Sequence, residues 1–249
     1  MIETKDLSYK FPLASENVLS DVNLKVEKGD MVALMGANGS GKTTLTRCLN
    51  GLVQPTGGSV IIDGHPVTLE NVRTIRRRVG MIFQDPNTAI TSPTVEREIA
   101  FGLQNLSVPR RMMREKTDMV LEQFHLENLR HVSPMDLSGG EKQRLAIAAV
   151  MVLEPMYLVL DEATSFLPSS SRNEVLALVD QLRKELEVGV LLVTQFPEEA
   201  LRANLLLILH EGRVVERGKP EEIFCKAEVM EGYGIPVPLE YRLGIVGAN

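Results

Sequence analysis

Residues 36–44 read G-A-N-G-S-G-K-T-T and satisfy the pattern G-x-x-x-x-G-K-[ST], which is typical of a phosphate-binding loop. An apolar run at 31–35 precedes the loop and predicts a buried strand, and a helix is predicted to begin near Lys42. Glycines let such a loop curl around a phosphate with its N–H groups inward, and the helix N-terminus adds partial positive charge. The stretch therefore predicts a nucleotide site between a strand and a helix.

The loop residues have expected roles at a nucleoside triphosphate. Lys42 is expected to reach the β and γ phosphates, and Thr43 is expected to ligate Mg²⁺. The residues predicted to bind the nucleotide here are Gly36, Ala37, Asn38, Gly39, Ser40, Gly41, Lys42, Thr43 and Thr44. A plain glycine turn before a helix is the alternative interpretation, and the flanking strand and helix patterns weigh against it.

Two adjacent carboxylates follow a second apolar run, in M-Y-L-V-L-D-E at 156–162. Side chains alternate along a strand, so Asp161 and Glu162 should point in different directions. We expect Asp161 to hold Mg²⁺ and Glu162 to orient or deprotonate an attacking water. By itself such a pair is more often a solvated strand end, but with a phosphate loop upstream it indicates a hydrolytic site.

The strand and helix patterns predict an α/β fold of the P-loop NTPase (RecA-like) type, with a parallel-sheet core. Residues 2–30 alternate in strand fashion and residues 59–67 form a hairpin pattern, which predicts an N-terminal antiparallel β subdomain. Buried strands separated by helices recur later in the chain and predict the parallel sheet, at 157–160, 190–194 and 205–209.

Residues 94–151 contain no strand pattern, and apolar positions there recur at helical spacing. The sequence therefore predicts one ATPase domain at 1–220 into which a helical subdomain at about 86–152 is inserted. After Gly218 the pattern fades, and residues 221–249 are predicted to be a C-terminal tail too short to bury a core of its own.

Composition limits the function classes. The chain has 249 residues, 44% of them hydrophobic, but its longest apolar runs fall far short of the roughly 20 residues that span a bilayer. The start of the chain shows no secretory signal pattern, so a cytoplasmic protein is expected. Two isolated cysteines predict neither a disulfide framework nor a zinc site. The net charge of −6 argues against a nucleic-acid partner.

Residues 137–143, L-S-G-G-E-K-Q, resemble the signature motif of the ATP-binding cassette (ABC) family. Ser138 and Glu141 also form the S-x-x-E capping box of a helix predicted at 139–151, and a capped helix N-terminus with glycines is an anion site. The resemblance implies that Ser138, Gly139, Gly140 and Glu141 contact the γ-phosphate of ATP bound to a second cassette. It covers roughly residues 2–220, with every motif in the family's order.

Further residues acquire roles through this resemblance. Phe11 matches the aromatic residue that stacks on adenine, with Tyr9 as the alternative. Gln84, in F-Q-D-P at 83–86, matches the family's Q-loop, which contacts Mg²⁺ and the attacking water. The resemblance thus implies the cofactors ATP and Mg²⁺, a metal set of Thr43, Gln84 and Asp161, and a catalytic set of Glu162, Gln195 and Gln84.

Within the family, three stretches look most like the A components of energy-coupling factor importers, including cobalt- and nickel-type systems. They are M-I-F-Q-D-P-N at 81–87, T-V-E-R-E-I-A-F-G-L at 94–103 and L-A-I-A-A-V-M at 145–151. The likeness implies an importer of a metal ion or vitamin, a second cassette and integral membrane components as partners, and a peripheral position on the cytoplasmic face of the membrane. A cassette of another importer class, or an ATP-gated switch with little turnover, are the alternatives.

Two positions depart from the family pattern. The family's switch histidine is replaced by Gln195, in L-L-V-T-Q-F at 191–196, and an interface aspartate is replaced by Pro168, in S-F-L-P at 165–168. Glutamine can donate a hydrogen bond to a γ-phosphate but carries no charge, and charge-assisted hydrogen bonds are the stronger ones. We therefore expect normal Mg-ATP binding with slowed hydrolysis.

Overall fold

The computed structural model describes residues 1–245, and its strands form two sheets. The smaller sheet is antiparallel, with the order β2-β1-β5-β6 and β3 paired to β1. Its strands are β1 Ile2–Tyr9, β2 Leu19–Val22, β3 Lys25–Val26, β5 Gly57–Ile62 and β6 His65–Pro66. The predicted antiparallel β part at the start of the chain therefore lies beside the central sheet as a layer of its own.

The larger sheet has six strands in the order β11-β10-β4-β9-β8-β7. All neighbours run parallel except the edge pair of β10 and β11. The strands are β4 Met31–Met35, β7 Val79–Ile82, β8 Tyr157–Asp161, β9 Gly189–Val193, β10 Leu205–His210 and β11 Arg213–Gly218. Because parallel strands are covered on both faces, β4, β8 and β9 are buried throughout, as their unbroken apolar sequences predict.

The central sheet separates two apolar cores. Along β4, Ala33 packs into the core that includes the helical part of the chain, whereas Leu34 packs into the core shared with the antiparallel sheet. This alternation follows from the two-residue period of a strand. The carboxyl ends of β4, β8 and β9 consequently emerge together at one edge, where ligands of open α/β sheets bind.

Helices cover the sheet and fill the interval between β7 and β8. They are α1 Lys42–Leu49, α2 Val72–Arg78, α3 Val95–Asn105, α4 Arg110–Gln123, α5 Gly139–Met151, α6 Ser169–Leu186 and α7 Pro197–Ala200. Three of them, α3 to α5, pack on one another between β7 and β8. The α/β fold with a parallel core, an antiparallel N-terminal layer and inserted helices is confirmed; the division into a domain at 1–220 with a subdomain at about 86–152 stays a prediction.

The predicted tail forms three further short helices as far as the structure describes it. They are α8 Pro220–Phe224, α9 Ala227–Gly232 and α10 Leu239–Arg242, and residues 246–249 of the predicted tail lie outside the described residues. Phe224 and Met230 are fully buried and Ile235 is nearly so, all in the core that includes the inserted helices. The tail thus packs onto the main domain instead of forming a core of its own. No helix within residues 1–245 combines the length and hydropathy needed to span a membrane.

Candidate active site

The phosphate loop connects β4 to α1 in a conformation that its glycines require. A Cβ atom on Gly36 would lie 2.4 Å from the Leu209 carbonyl oxygen, so this position admits no side chain. Gly41 has a φ of 106°, in the left-handed region that glycine adopts at little cost, and α1 begins at the next residue. Sequence and structure therefore agree on where the loop ends and the helix begins.

Lys42 lies inside the loop and is 5% exposed. Its Nζ atom donates hydrogen bonds to the carbonyl oxygens of Gly36 at 2.7 Å and Ala37 at 3.2 Å. The same Nζ is 3.3 Å from Oε1 of Glu162, at the end of a different strand. The ammonium group is thus held by the loop and by a carboxylate, because a buried charge needs partners.

Glu162 follows β8 in a left-handed conformation with a φ of 52°, which is rare for a residue with a side chain. Its backbone N–H donates to Val193 O at 3.0 Å, and its Oε2 accepts from Gln195 Nε2 at 2.8 Å and from Gln84 Nε2 at 3.4 Å. Three strand ends, those of β7, β8 and β9, therefore converge on one carboxylate.

Asp161 is the last residue of β8 and is 4% exposed. Its Oδ2 accepts a hydrogen bond from Thr46 Oγ1 at 3.0 Å, while within residues 1–245 its Oδ1 has no hydrogen-bond partner. Burial raises the pKa of this carboxyl, and the hydroxyls of Thr46 and Thr43 oppose that rise. Asp161 and Glu162 therefore face different groups, and the free oxygen of Asp161 suits a hard cation such as Mg²⁺.

An open cavity of about 570 Å³ lies against the loop. Its walls bring together many of the predicted site residues, namely Phe11, Asn38, Gly39, Gly41, Lys42, Thr43, Thr44, Gln84, Glu162 and Gln195. Phe11 is 46% exposed at the rim, whereas Tyr9 is buried and contacts Phe11 edge to face with ring centroids 5.1 Å apart. Of the two aromatic candidates, Phe11 is thus the one accessible to a base in the cavity.

The signature residues lie elsewhere. Ser138 and Glu141 form a capping box at the start of α5, in which Ser138 N donates to Glu141 Oε2 at 2.8 Å. Hydrogen bonds from the hydroxyl and the backbone N–H of Ser138 lower the pKa of Glu141. Gly139 shares a separate cavity of about 340 Å³ with Gln84 and Phe166. None of the four signature residues is among those lining the phosphate-loop cavity, so a single chain does not bring the two groups together.

Some contacts at the site were missed by sequence reasoning. Thr46, one turn into α1, bonds Asp161, and nothing in the phosphate-loop pattern marks that position. Glu199 in α7 bonds the hydroxyls of Thr164 and Thr194 beside the catalytic candidates. A glutamate four residues after Gln195 carries no motif, and only its burial in the folded chain distinguishes it from Glu198.

The chain is similar to known proteins along nearly its whole length. The family model described as "ABC transporter" matches residues 19–165. Curated relatives include the energy-coupling factor transporter ATP-binding protein EcfA1 of Latilactobacillus sakei, 37% identical over 98% of this chain and 87% of that protein. The EcfA1 protein of Lactiplantibacillus plantarum is 38% identical, with the same shares covered.

Solved structures of ATP-binding cassettes are also similar to this chain. CbiO1 from Clostridium perfringens, described as part of the ABC transporter complex cbiONQ, superposes with a TM-score of 0.86 at 29% identity and covers 98% of both chains. A dimeric ATP-binding cassette, MJ0796 bound to ADP and Pi, reaches a TM-score of 0.79 at 27% identity, covering 88% of this chain and 99% of that one. A family match across more than half of the chain, together with relatives along nearly all of it, shows that this chain belongs to the ABC transporter family.

Proposed function

We propose that the chain is the ATP-binding and ATP-hydrolysing subunit of an ABC-type membrane transporter. The observation that carries this proposal is the convergence of Lys42, Gln84, Glu162 and Gln195 on one cavity beside the phosphate loop. Those residues come from one loop and three different strand ends, and a cavity lined by such polar groups suits a triphosphate.

In the proposed complex, the N–H groups of residues 36–44 surround the phosphates, and Lys42 exchanges its contact with Glu162 for the β and γ phosphates. Phe11 stacks on the adenine, since its exposed ring borders the cavity. Binding must therefore break the Lys42–Glu162 contact, which leaves the Glu162 carboxylate free to accept a proton from water.

Mg²⁺ would be held by Thr43, Asp161 and Gln84. Within residues 1–245 no group of three or more His, Cys, Asp or Glu side chains could hold a metal ion, which fits an ion bound mainly through phosphate and water oxygens. The Oδ1 atom of Asp161, which has no hydrogen-bond partner among the described residues, supports this assignment. When bound, the ion would neutralise phosphate charge. The protein's part is to keep Asp161 fixed through Thr46 and to orient water through Glu162 and Gln84.

Turnover requires a second cassette, because the signature residues of one chain lie outside its own phosphate-loop cavity. We propose that Ser138, Gly139, Gly140 and Glu141 complete the site of a head-to-tail partner, since a capped N-terminus with glycines binds anions. Whether the partner is a second copy or a different cassette is decided by the stoichiometry of the purified assembly. Pro168 supplies no carboxylate and no N–H to that interface, so the partner's site lacks the contact of the family's aspartate whichever cassette the partner is.

We propose that the assembly is an energy-coupling factor importer of a metal ion or vitamin. The support is the name of the relatives at 37% identity and the likeness to CbiO1. In this assignment the chain is peripheral on the cytoplasmic face of the membrane, bound to integral membrane components, and has no nucleic-acid partner. A slow switch with little turnover is the second candidate, and the uncharged Gln195 favours it.

The test is Mg²⁺-dependent phosphate release by the full chain, purified with the subunits that accompany it from membranes. Lys42→Ala should abolish ATP binding, and exposed Lys28→Ala at the opposite end of the strands should leave it unchanged. Integral membrane proteins should co-purify with the tagged chain. ATP binding that survives Lys42→Ala contradicts the site, and tight ATP binding without turnover selects the switch.

A further inference from the structure

A buried carboxylate without an assigned role lies next to the catalytic candidates. Glu199 belongs to α7 and is 4% exposed, whereas its neighbour Glu198 is exposed to solvent. A buried glutamate must be compensated by hydrogen bonds or charges, because its desolvation is costly. The contacts of Glu199 therefore indicate what its burial achieves.

Both oxygens of Glu199 are used. Oε1 accepts from Thr164 Oγ1 at 2.7 Å, and Oε2 accepts from Thr194 Oγ1 at 2.5 Å. The two threonines are themselves 2% and 1% exposed. The Glu199 carboxylate accepts both hydrogen bonds. It thereby connects two segments that are 30 residues apart in sequence.

These two segments contain the catalytic candidates. The first holds Thr164 two residues after Glu162, and there Ser165 N donates to Glu162 O at 3.0 Å. The second holds Thr194, whose Oγ1 also accepts from Phe196 N at 3.0 Å and so shapes the turn that carries Gln195. One carboxylate is therefore attached to the exits of both β8 and β9.

The surroundings favour a fixed geometry. Burial raises the pKa of Glu199, while Thr194 and Thr164 and the more distant Arg172 and Arg202 oppose that rise. The guanidinium carbon of Arg172, in α6, lies 3.7 Å from the centroid of the Phe196 ring, a cation–π contact between that helix and the segment around Gln195. The Glu199 hydrogen bonds thus hold the segment after Glu162 against the segment around Gln195, and α6, which follows the first segment, also contacts the second.

We propose that Glu199 is a positioning residue for ATP hydrolysis, which holds Gln195 within reach of Glu162 without touching the nucleotide. The inference rests on the proposed function for its rate effect. The hydrogen bond from Gln195 Nε2 to Glu162 Oε2, 2.8 Å long, is the geometry that it maintains. A shift of about 1 Å in a positioned group is enough to lower a rate by a large factor.

The kinetic test compares Glu199→Ala with Glu198→Ala in the purified full-length protein and its co-purifying subunits. Glu199→Ala should lower kcat by about tenfold to a hundredfold, since a displacement of about 1 Å caused by a mutation outside the reacting groups can cost about 10²-fold. The KM and the affinity for a fluorescent ATP analogue should stay within about twofold, since the phosphate loop is untouched. Glu198→Ala should match wild type. A kcat that does not fall, or one that falls in proportion to ATP affinity, overturns the proposal.

A second pair of variants covers the case in which Glu199→Ala does not fold. Thr164→Val removes one hydroxyl with little change in shape, and Thr164→Ser retains it. We expect kcat to fall in the valine variant and to stay near the wild-type value in the serine variant, which keeps the hydroxyl. Equal rates in the two variants contradict the role of this hydrogen bond.

Amide hydrogen exchange gives a measurement that does not depend on turnover. Glu199→Ala, or Thr164→Val in its place, should accelerate exchange at 162–167 and also at 193–197, while Glu198→Ala should change neither. Acceleration confined to one segment overturns the link. If the wild type hydrolyses no ATP, the proposed hydrolysis fails, and the exchange result alone then decides whether Glu199 joins the two segments.

Discussion

The Nζ atom of Lys42 lies 3.3 Å from Oε1 of Glu162, although the two residues are 120 positions apart in sequence. Both side chains are almost completely shielded from solvent, with exposures of 5% and 11%. The carboxylate of Glu162 therefore lies beside the ammonium group of Lys42, at the place where the phosphates of ATP are proposed to bind. The Glu162 carboxylate and the phosphates thus compete for the same lysine.

Glu162→Gln should separate binding from hydrolysis. The neutral amide no longer competes for Lys42 or repels a phosphate, so the affinity for Mg-ATP should rise. Turnover should fall by about 10²- to 10⁴-fold, the usual contribution of a general base. Equilibrium binding and single-turnover phosphate release measure the two effects, with Glu198→Gln as the matched control. Unchanged turnover would exclude Glu162 as the base.

Gln195→His should increase turnover. The imidazole can donate to the γ-phosphate and can carry a charge, which strengthens the bond as negative charge develops. The increase in kcat should be smaller than the decrease of about 10²- to 10³-fold that follows the complete loss of a transition-state donor. Gln195→Ala is the companion variant and should lower the rate. The measurement is kcat at saturating Mg-ATP, and no gain with histidine contradicts the view that Gln195 limits hydrolysis.

Asp161→Asn should have opposite effects on the protein alone and on its Mg-ATP complex. Without nucleotide, the change removes a buried charge whose Oδ1 is unpaired within the described residues, so the melting temperature should rise or stay the same. With Mg-ATP, the extra stabilisation by ligand should shrink, because the amide binds Mg²⁺ poorly. Thermal melts with and without Mg-ATP measure both effects. EDTA should reduce ligand stabilisation in wild type, with much less effect in Asp161→Asn.

Ser138→Ala should affect turnover more than ATP affinity. The hydroxyl caps α5, and its loss costs about 1 kcal/mol of stability. Because Ser138 lies outside the phosphate-loop cavity of its own chain, ATP affinity should be retained while hydrolysis by the paired cassettes falls. Ser133→Ala is the control, since that hydroxyl caps the short 3₁₀ helix Pro134–Asp136. An equal loss of turnover in both variants would show that Ser138 acts only by capping its helix.

Phe224→Ala tests whether the C-terminal helices belong to the main fold. This ring is fully buried in α8 among residues of the core. Its removal should lower the free energy of unfolding by about 3–5 kcal/mol, as for other buried aromatic side chains. Leu239→Ala, at a position 64% exposed in the same tail, should change it little. A small effect of Phe224→Ala in urea unfolding would show that the tail contributes little to the core.

Much of the fold was predictable because its signals are local. The apolar run at 31–35, the glycines after it and the S-x-x-E box at Ser138 each determine conformation over a few residues. The strand β4, the helix α1 beginning at Lys42 and the helix α5 beginning at Gly139 were located for this reason. The packing of the tail was not predictable in this way, since Phe224 and Ile235 lie in short segments whose burial depends on contact with a core distant in sequence.

The amino-acid sequence by itself predicted the phosphate loop, the paired carboxylates and the family that they indicate, because each of these motifs consists of consecutive residues. Tertiary structure alone decided that Lys42 contacts Glu162, that Gln195 reaches the same carboxylate, and that Glu199 rather than Glu198 is buried. The physical reason is that the parallel sheet aligns the ends of strands far apart in sequence. Which side chains meet there depends on strand order and register, and no short stretch of sequence contains either.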